Sequence, residues 1–434
     1  MAHSSSSPPV YIIDGTRTPF LKARGRPGPF SALDLVVAAG KHLLARQNFK
    51  PSEIGEVILG SVMPSEREAN IGRLATLRLG CGEYVPGWTV QRNCGSGMQA
   101  IDSAINDIRL GRHDIVLAGG TEAMSHAPLL YSESLINSMA DWRSAPTLIA
   151  KLKTLAKWRP QYFKPVVALL FGLTDPIVGL NMGQTAEILA SEFKITRKEM
   201  DQFSLESHQR LSMAIDQNLM EDITPLYDSE GRFYLKDDGV RADSSFERLA
   251  KLPAIFDFPF GLVTAGNSSQ ITDGAALMLL ASEKAVKEHH LPVLGRIIDT
   301  HWAALSPARM GLGPVYASTP LLIRNQLSLS DIAYWEINEA FASQVLSCLK
   351  AWESPEFCQN QLGLDQAFGS IDRNRLNVNG GAIAVGHPVG ASGARIVLSL
   401  LNTLKQNHAR LGVAAICIGG GQGGAMLVEN LTHA

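Results

Sequence analysis

The 434-residue sequence predicts an α/β protein made of two similar halves, each a sheet covered by helices. Two observations favour this fold class. In both halves a short turn containing Ser-Gly precedes a segment whose apolar residues recur at the spacing of one helix face. In both halves an apolar stretch that ends in glycines then follows. The repeated strand–helix–strand pattern indicates an internal duplication, although two α/β halves can also resemble each other by chance.

The two predicted helices begin after matching turns. The first follows Asn-Cys-Gly-Ser-Gly at 93–97, and the second follows Val-Gly-Ala-Ser-Gly at 389–393. Strands predicted at 115–120 and 414–421 come after these helices. The apolar positions step by 3, 4 and 3 residues along Met98, Ile101, Ile105 and Ile108, and again along Ala394, Val397, Leu401 and Leu404.

The middle of the chain carries no clear third copy. It contains a polar, helix-rich segment in which Thr196 is predicted to cap a helix, with Glu199 as its capping-box partner. A small-residue stretch at 263–276 then precedes a strand predicted at 277–280. We therefore expect three units, listed here by residue number: an N-terminal half at 1–125 with 256–291, an inserted loop domain at 126–255, and a C-terminal half at 292–434.

Composition excludes several classes of protein. The 39 basic and 41 acidic side chains give a net charge of −2, so no global basic field exists to hold nucleic acid. The five cysteines form no CxxC pair, which makes both a disulfide framework and a zinc site unsupported. Residues 1–9 lack the features of a signal peptide, and the apolar run at 165–173 is too short to span a bilayer. A reduced, cytoplasmic setting fits these features best, with peripheral membrane association left open.

Cys94 is the best candidate nucleophile. A cysteine at the N-terminus of a helix faces backbone N–H groups and the positive end of the helix dipole, and both favour the thiolate. His387 lies on a glycine-rich turn at the matching end of the second half. If the halves pack back to back, its imidazole can take the proton of Cys94.

Two further residues are candidates for chemistry. Cys417 lies at a predicted strand end beside glycines and can act as a second acid or base. Asn338 follows a predicted strand and can hold a water or a substrate oxygen. Each candidate also has an ordinary interpretation: cysteines are commonly small buried hydrophobes, loop histidines are commonly structural, and Asn338 can simply cap a helix.

Four blocks taken together resemble the thiolase family. Arg-Thr-Pro-Phe at 17–20 also matches the opening of that family, and the order and spacing of the blocks agree over nearly the whole chain. The blocks are Asn-Cys-Gly-Ser-Gly at 93–97, Asn-Glu-Ala-Phe at 338–341, the Gly-His-Pro block at 386–395 and Cys-Ile-Gly-Gly-Gly at 417–421.

This resemblance implies a fold of two βαβαβαββ halves in a five-layer α/β/α/β/α core, with an inserted loop domain. It implies that Cys94 carries the acyl group, that His387 takes its proton, and that Cys417 moves the proton of the acetyl methyl. It also implies two oxyanion holes, one from His387 with a water on Asn338 and one from the backbone N–H groups of Cys94 and Gly419. Ping-pong kinetics follow from the covalent intermediate.

Coenzyme A is implied as a substrate, with no permanently bound cofactor. Ser269 resembles a family position that touches the pantetheine arm, and Met182 resembles a residue of the pocket wall. Asn181 stands where biosynthetic thiolases usually carry histidine, so one contact to coenzyme A differs from the family pattern.

The insertion at 131–180 resembles that of thiolase subunits in trifunctional fatty-acid oxidation complexes. Those subunits tend to carry histidine where this chain has Asn338, so the catalytic blocks follow the common pattern instead. The basic and then apolar stretch at 150–175 is typical of a segment that lies on a membrane surface. The alternative is a loop that packs on a neighbouring subunit.

The expected function is CoA-dependent cleavage of 3-ketoacyl-CoA in fatty-acid β-oxidation. The alternatives are a short-chain acetyl-CoA acetyltransferase that runs the Claisen condensation and a thiolase-like subunit of a multienzyme complex. Ketoacyl synthases and HMG-CoA synthases share the nucleophile but pair it with other residues, so Cys417 and Asn338 argue against them. The resemblance also implies a homodimer or homotetramer, and a hydratase/dehydrogenase α-subunit is a further hypothesis.

Overall fold

The computed structural model describes residues 8–432, which form a mixed α/β fold. The strands, in chain order, are β1 Val10–Arg17, β2 Leu21–Lys22, β3 Glu56–Gly60, β4 Gly87–Val90, β5 Ile115–Ala123, β6 Leu129–Leu130, β7 Val166–Val167, β8 Leu226–Tyr227, β9 Phe233–Tyr234, β10 Thr272–Ser282, β11 Gly295–Ala304, β12 Tyr334–Ile337, β13 Leu411–Ile418 and β14 Gln422–Asn430. The helices are α1 Ala32–Leu44, α2 Ile71–Arg78, α3 Ser96–Arg109, α4 Glu133–Ser144, α5 Leu148–Leu155, α6 Ala168–Gly172, α7 Met182–Glu192, α8 Arg197–Asp216, α9 Phe246–Ala250, α10 Glu283–Glu288, α11 Gly313–Arg324, α12 Ala342–Glu353, α13 Pro355–Leu362, α14 Ala382–Val385 and α15 Val389–Gln406.

The strand order confirms the predicted duplication. The order is β4-β3-β5-β10-β1 in the N-terminal half and β12-β13-β14-β11 in the C-terminal half. The pairs β3–β5 and β12–β13 are parallel, and the later pairs of both halves are antiparallel. The first strand of each half also carries a register shift at the same place, between Ile12 and Asp14 in β1 and between Ile297 and Asp299 in β11. Chance resemblance does not explain a shared irregularity.

The two half-sheets are joined through β1 and β11. Tyr11 of β1 pairs with Arg296 of β11, and Ile12 pairs with Gly295, so the two halves are hydrogen-bonded into one ten-stranded sheet. The insertion contributes only short hairpins of its own, β6–β7 and β8–β9.

The apolar core lies in three layers that alternate with the two half-sheets. A central cluster joins α3 and α15 to residues from both sheets, such as Ile58 of β3 and Ile416 of β13. Outer clusters pack α1 and α2 on the N-terminal half and α11 and α12 on the C-terminal half. This arrangement is the predicted five-layer α/β/α/β/α core, and it places the N-termini of α3 and α15 close together.

Glycines allow this close crossing of α3 and α15. A Cβ on Gly97 would lie 2.9 Å from the backbone nitrogen of Ala394 and 2.9 Å from the carbonyl oxygen of Gly390. A Cβ on Gly120 would lie 1.9 Å from that same oxygen. Since real side chains do not reach such distances, the Ser-Gly turns are needed for the two helices to pack on each other and on β5.

The predictions for the middle of the chain are confirmed, except that one strand is longer than predicted. The Thr196 side chain accepts from the Glu199 backbone N–H, and Glu199 closes the capping box of α8. The strand predicted at 277–280 is longer, because β10 already begins at Thr272 within the small-residue stretch. Small residues fit there because β10 is buried between β1 and β5.

The insertion exposes much of its apolar surface. Leu135 is the one buried residue of α4, and α5 and α6 bury none. Within residues 8–432 no helix is long and apolar enough to cross a membrane.

The division into domains at 1–125 with 256–291, 126–255 and 292–434 stays a prediction. The first seven and the last two residues of the chain lie outside the described range.

Candidate active site

Cys94 lies in a braced turn between β4 and α3. Asn93 has a positive φ of 43°, and its side-chain amide donates to the carbonyl oxygen of Gly419 at 2.9 Å. The Ser96 hydroxyl closes the turn from the other side by donating to the Asn93 carbonyl at 2.7 Å. Gly95 caps α3, so Cys94 precedes the first turn of the helix. The N-terminal half therefore presents Cys94 directly to the glycine loop of the C-terminal half.

Burial opposes the stabilisation of a thiolate that the helix N-terminus offers Cys94. Burial raises the pKa of the Cys94 thiol to about 11, because a charged sulfur is poorly solvated there. The backbone N–H groups of Gly419 and of Cys94 itself lower this pKa, and the nearby Glu122 carboxylate raises it further. Two backbone donors do not offset the loss of water, so the thiol is protonated at neutral pH.

Cys94 opens onto a cavity of about 230 Å³ whose walls are mostly apolar. The cavity is built from both halves and from the insertion. Of the residues predicted from the sequence, Cys94, Met182 and Gly419 lie on its walls, together with Val62, Met63, Asn93, Phe171, Gly172, Leu173, Thr174, Asp175, Pro176, Val389 and Gly420.

Cys417 lies near Cys94, although it does not itself line the cavity. It packs in a small apolar cluster with Met182 and Phe341, and its side chain is almost fully buried. Burial raises the pKa of the Cys417 thiol well above its usual value, and the neighbouring Cys94 raises it further. The Met182 sulfur lies 3.4 Å from where a Cβ on Gly419 would stand. Both cysteines, Met182 and Gly419 are therefore grouped at one place.

His387 is held on the predicted glycine turn between α14 and α15. Its backbone N–H donates to the carbonyl oxygen of Gln270 at 3.0 Å, and its Nδ1 lies 2.6 Å from the Ser392 hydroxyl. Because that hydroxyl donates to the Pro388 carbonyl at 3.1 Å, its oxygen is free to accept from Nδ1–H. This network assigns the proton to Nδ1 and leaves Nε2 as the basic nitrogen.

The His387 imidazole is neutral at physiological pH. Burial lowers its pKa to about 3, and the nearby Arg395 guanidinium lowers it further. Val389, two residues further along, lines the cavity beside Cys94. The turn of the C-terminal half thus brings a neutral base within two residues of the cavity wall.

Asn338 is fully buried in the loop between β12 and α12. Its side-chain oxygen accepts from Arg395 at 3.2 Å, whereas its side-chain nitrogen has no hydrogen-bond partner among the described residues. The capping alternative is wrong, because α12 begins after Phe341. A buried amide donor without a protein acceptor fits a group that holds a water or a substrate oxygen.

Sequence reasoning missed the ion pair that orients Asn338. Arg395 donates to the Glu336 carboxylate at 3.1 Å, and both side chains are buried. Burial raises the pKa of Glu336 to about 8, although the charge of Arg395 opposes this rise. A glutamate inside the otherwise apolar strand Tyr334–Ile337 is the signal that would have pointed to it.

Ser269 does not line the cavity. Its backbone N–H donates to the carbonyl oxygen of Ala340 at 2.9 Å, and the next residue, Gln270, accepts from His387. Residues 269–270 therefore connect the loop of Asn338 to the turn of His387. The contact of Ser269 with coenzyme A stays a prediction.

The insertion supplies a wall of the cavity, which the sequence did not predict. Residues 171–176 line it, although the sequence pattern of this stretch indicates only a membrane or subunit contact. Val62 and Met63, which follow β3, line it from the N-terminal half. Sequence patterns do not reveal that Val62 and Met63 line the cavity, because the end of β3 lies near Cys94 only after the strands have paired in the sheet.

The sequence of this chain is similar to known proteins over nearly its full length. The family model of the thiolase N-terminal domain matches residues 10–284, and that of the thiolase C-terminal domain matches residues 291–430. The chain is 36% identical over 423 residues to a 3-ketoacyl-CoA thiolase of Serratia proteamaculans, covering 97% of this chain and 96% of that protein. It is 35% identical over 422 residues to the mitochondrial trifunctional enzyme subunit beta of Bos taurus, covering 97% and 88%.

Solved structures agree with these sequence matches. The crystal structure of human mitochondrial 3-ketoacyl-CoA thiolase in complex with CoA superposes with a TM-score of 0.84 at 35% identity, covering 98% of both chains. The crystal structure of the Bacillus anthracis acetyl-CoA acetyltransferase gives a TM-score of 0.84 at 35% identity, covering 99% of this chain and 100% of that chain.

Proposed function

The chain belongs to the thiolase family, and from this premise we propose that it cleaves 3-ketoacyl-CoA with coenzyme A into acetyl-CoA and a shortened acyl-CoA. The observation that carries the proposal is that Cys94 and Gly419 line one apolar cavity, while the buried Cys417 lies close enough to Cys94 for Cys94 to raise its pKa. Two cysteines at one site fit a carbon–carbon cleavage, which needs a nucleophile for the acyl group and an acid for the departing acetyl carbon.

We assign the nucleophilic role to Cys94. It gives its proton to Nε2 of His387 and attacks the 3-keto carbon, and the bond between the second and third carbons then breaks. The electron pair of that bond stays on the acetyl-CoA fragment, which takes a proton from Cys417. The acyl group remains on Cys94 as a thioester until coenzyme A attacks it. The coenzyme A thiol gives its proton to the Cys417 thiolate as its sulfur bonds to the acyl carbon. The bond from that carbon to the Cys94 sulfur then breaks, and the sulfur takes its proton back from His387 as acyl-CoA leaves.

Stabilisation of the two oxyanions is assigned to two sets of hydrogen-bond donors. The backbone N–H groups of Cys94 and Gly419 face the Cys94 sulfur and are suited to the oxygen of the tetrahedral intermediate. The free side-chain nitrogen of Asn338, with His387, is suited to the enolate oxygen of acetyl-CoA through a bound water. Ser269 and Met182 remain the proposed contacts to coenzyme A.

We propose the degradative direction and longer acyl chains, in the setting of fatty-acid β-oxidation. Relatives named 3-ketoacyl-CoA thiolase and trifunctional enzyme subunit beta cover nearly the whole chain, and the insertion adds Phe171 and Leu173 to an apolar cavity. A short-chain acetyl-CoA acetyltransferase is the second candidate, because one such structure matches the full chain at 35% identity.

The test is CoA-dependent loss of 3-ketoacyl-CoA absorbance with four-carbon and sixteen-carbon substrates. We expect activity on both, higher on the long chain, and we expect Cys94→Ala to abolish it. Cys81→Ala is the matched control, since Cys81 is buried in the outer N-terminal cluster and should leave kcat unchanged.

Activity confined to the four-carbon substrate would favour the acetyltransferase. Full activity of Cys94→Ala would contradict the proposed nucleophile. No activity of the wild-type chain, restored only by an added hydratase/dehydrogenase α-subunit, would place it in a multienzyme complex instead.

We propose a homodimer or homotetramer as the assembly. A trifunctional beta subunit among the relatives supports an additional α-subunit partner as the alternative. Sedimentation of the purified chain separates the two, because a single homo-oligomeric species with full activity argues against a required partner.

We further propose that residues 150–175 can contact a membrane surface. Helix α5 exposes Leu148 and Leu152 by 73% and 57%, and Lys151 and Lys153 lie beside them. A basic helix with exposed leucines binds anionic lipid through both charge and apolar burial. Such binding would make a cytoplasmic protein membrane-associated without any spanning helix.

Flotation with phosphatidylserine vesicles at low salt tests this membrane contact. The wild-type chain is expected to float, and the double variant Leu148→Gln/Leu152→Gln is expected to stay in the dense fraction with normal thiolase activity. Leu110→Gln, which changes an equally exposed leucine outside the insertion, is the control and should float. If the wild-type chain does not float, the proposed membrane contact is contradicted.

A further inference from the structure

We infer that Glu122 is a positioning residue, whose carboxylate holds two walls of the cavity beside Cys94 in place by accepting three backbone hydrogen bonds from both halves of the chain. This inference deepens the proposed function and rests on it. Glu122 lies on β5 and is fully buried, yet it does not itself line the cavity.

The three hydrogen bonds come from separate segments. The N–H groups of Val62 and Gly390 donate to one carboxylate oxygen at 2.9 and 3.0 Å, and the N–H of Met63 donates to the other at 3.0 Å. Val62 and Met63 belong to the N-terminal half, whereas Gly390 lies in the first turn of α15 in the C-terminal half. One side chain thereby fixes the distance between the two halves at the cavity.

Each donor belongs to, or directly adjoins, a cavity residue. Val62 and Met63 line the wall that faces Cys94, and Gly390 follows Val389, which lines the other wall. The N–H groups of Val62 and Met63 have no backbone acceptor among the described residues, so the carboxylate is what satisfies them. A shift of this segment would move the cavity wall relative to the Cys94 sulfur.

The site is built to admit this carboxylate at close range. A Cβ on Gly390 would lie 2.8 Å from the Glu122 carboxylate and 2.6 Å from the Thr121 carbonyl oxygen, so only glycine lets α15 approach. The carboxylate also faces the N-terminus of α15, where unpaired N–H groups favour a negative charge. Geometry and helix polarity both select an acidic side chain here.

Two variants separate positioning from simple filling of space. Glu122→Gln keeps the length but places an amide NH2 against at least one of the three donors. Glu122→Asp keeps the carboxyl group but is one methylene too short to reach all three. We expect both variants to lower kcat by roughly tenfold to a hundredfold, because small misplacements near a reacting group are costly. We expect KM for coenzyme A to stay within about threefold, because Glu122 does not line the cavity. Glu56→Gln, on neighbouring β3, is the control and should leave kcat unchanged.

Hydrogen exchange gives a readout that needs no turnover. In the wild-type chain, the Val62 and Met63 amides should be protected although they lie in a loop, and in both variants the peptide containing them should exchange faster while α3 keeps its protection. Rapid exchange of these amides in the wild-type chain would overturn the inference even if neither variant folds. Normal kcat in folded Glu122→Gln would overturn it as well. Because exchange does not depend on catalysis, a failure of the proposed thiolase activity leaves this test intact.

Discussion

At the scale of single residues, the reacting groups of the resting site are uncharged. Burial disfavours the charged form of each side chain. It therefore raises the pKa of the Cys94 thiol to about 11 and lowers the pKa of the His387 imidazole to about 3. A thiolate–imidazolium pair is therefore a minor state until substrate supplies further stabilisation. Neutral groups also protect Cys94 from reaction with other electrophiles while no thioester is bound.

Asn338 gives a sharp prediction at this scale. In Asn338→Asp the free amide donor disappears, while the new carboxylate can still pair with Arg395. We expect kcat for 3-ketoacyl-CoA cleavage to fall by roughly 10²–10³-fold, as for loss of one oxyanion donor, with little loss of stability. Steady-state kinetics and thermal melting measure the two effects.

Asn374→Asp serves as the control for this change, because Asn374 is exposed in a short 3-10 helix and does not line the cavity. A kcat of Asn338→Asp within a few-fold of wild type would mean that its nitrogen holds no reacting oxygen.

How much of the site is predictable differs from residue to residue. Cys94, Cys417 and His387 stand in short glycine-rich blocks, and such local patterns can be read directly from the sequence. Glu122 and Glu336 could not be assigned, because their importance comes from partners far away in the chain, such as Gly390 and Arg395. Only the packing of the two halves creates those contacts.

At the scale of helices, the crossing of α3 and α15 determines where the catalytic turns meet. We predict that Gly97→Ala destabilises the protein by about 1–3 kcal/mol, because the added methyl group collides with the backbone of α15. Urea denaturation measures the change. Gly172→Ala is the matched control, since the nearest atom to a Cβ there is the Met63 sulfur at 3.7 Å, and it should be close to neutral.

A stability of Gly97→Ala equal to wild type would show that the two helices are not held at this distance. Apolar periodicity was sufficient to predict α3 and α15 themselves. It could not predict their contact, because periodicity identifies a buried face without identifying what covers that face.

At the scale of the whole molecule, buried histidines link stability to pH. Burial lowers the pKa of His208 to about 4, and the charges of Arg241 and Lys22 lower it further, so its folded pKa lies below the unfolded value of 6.5. The unfolded chain therefore binds more protons between these values, and stability falls as pH decreases from about 6.5 to about 4. His208 alone accounts for about 3 kcal/mol of this loss.

Urea midpoints measured at pH 7.5 and at pH 5 test this linkage. In His208→Gln the side-chain oxygen can still accept from the Arg241 backbone, as Nδ1 of His208 does at 3.3 Å, but it does not titrate. The variant should show a shallower loss of stability on acidification. An unchanged pH dependence would show that His208 is already accessible to protons in the folded state.

The pairing of β1 with β10 has a consequence for biosynthesis. Val10 lies opposite Ser282, so the N-terminal sheet cannot close until the ribosome has made the whole insertion and the strand that follows it. During that interval the early strands expose unpaired edges, and such sequence-distant pairing is slow to form. Nascent chains of this protein are therefore expected to depend on chaperones until almost two-thirds of the protein has been translated.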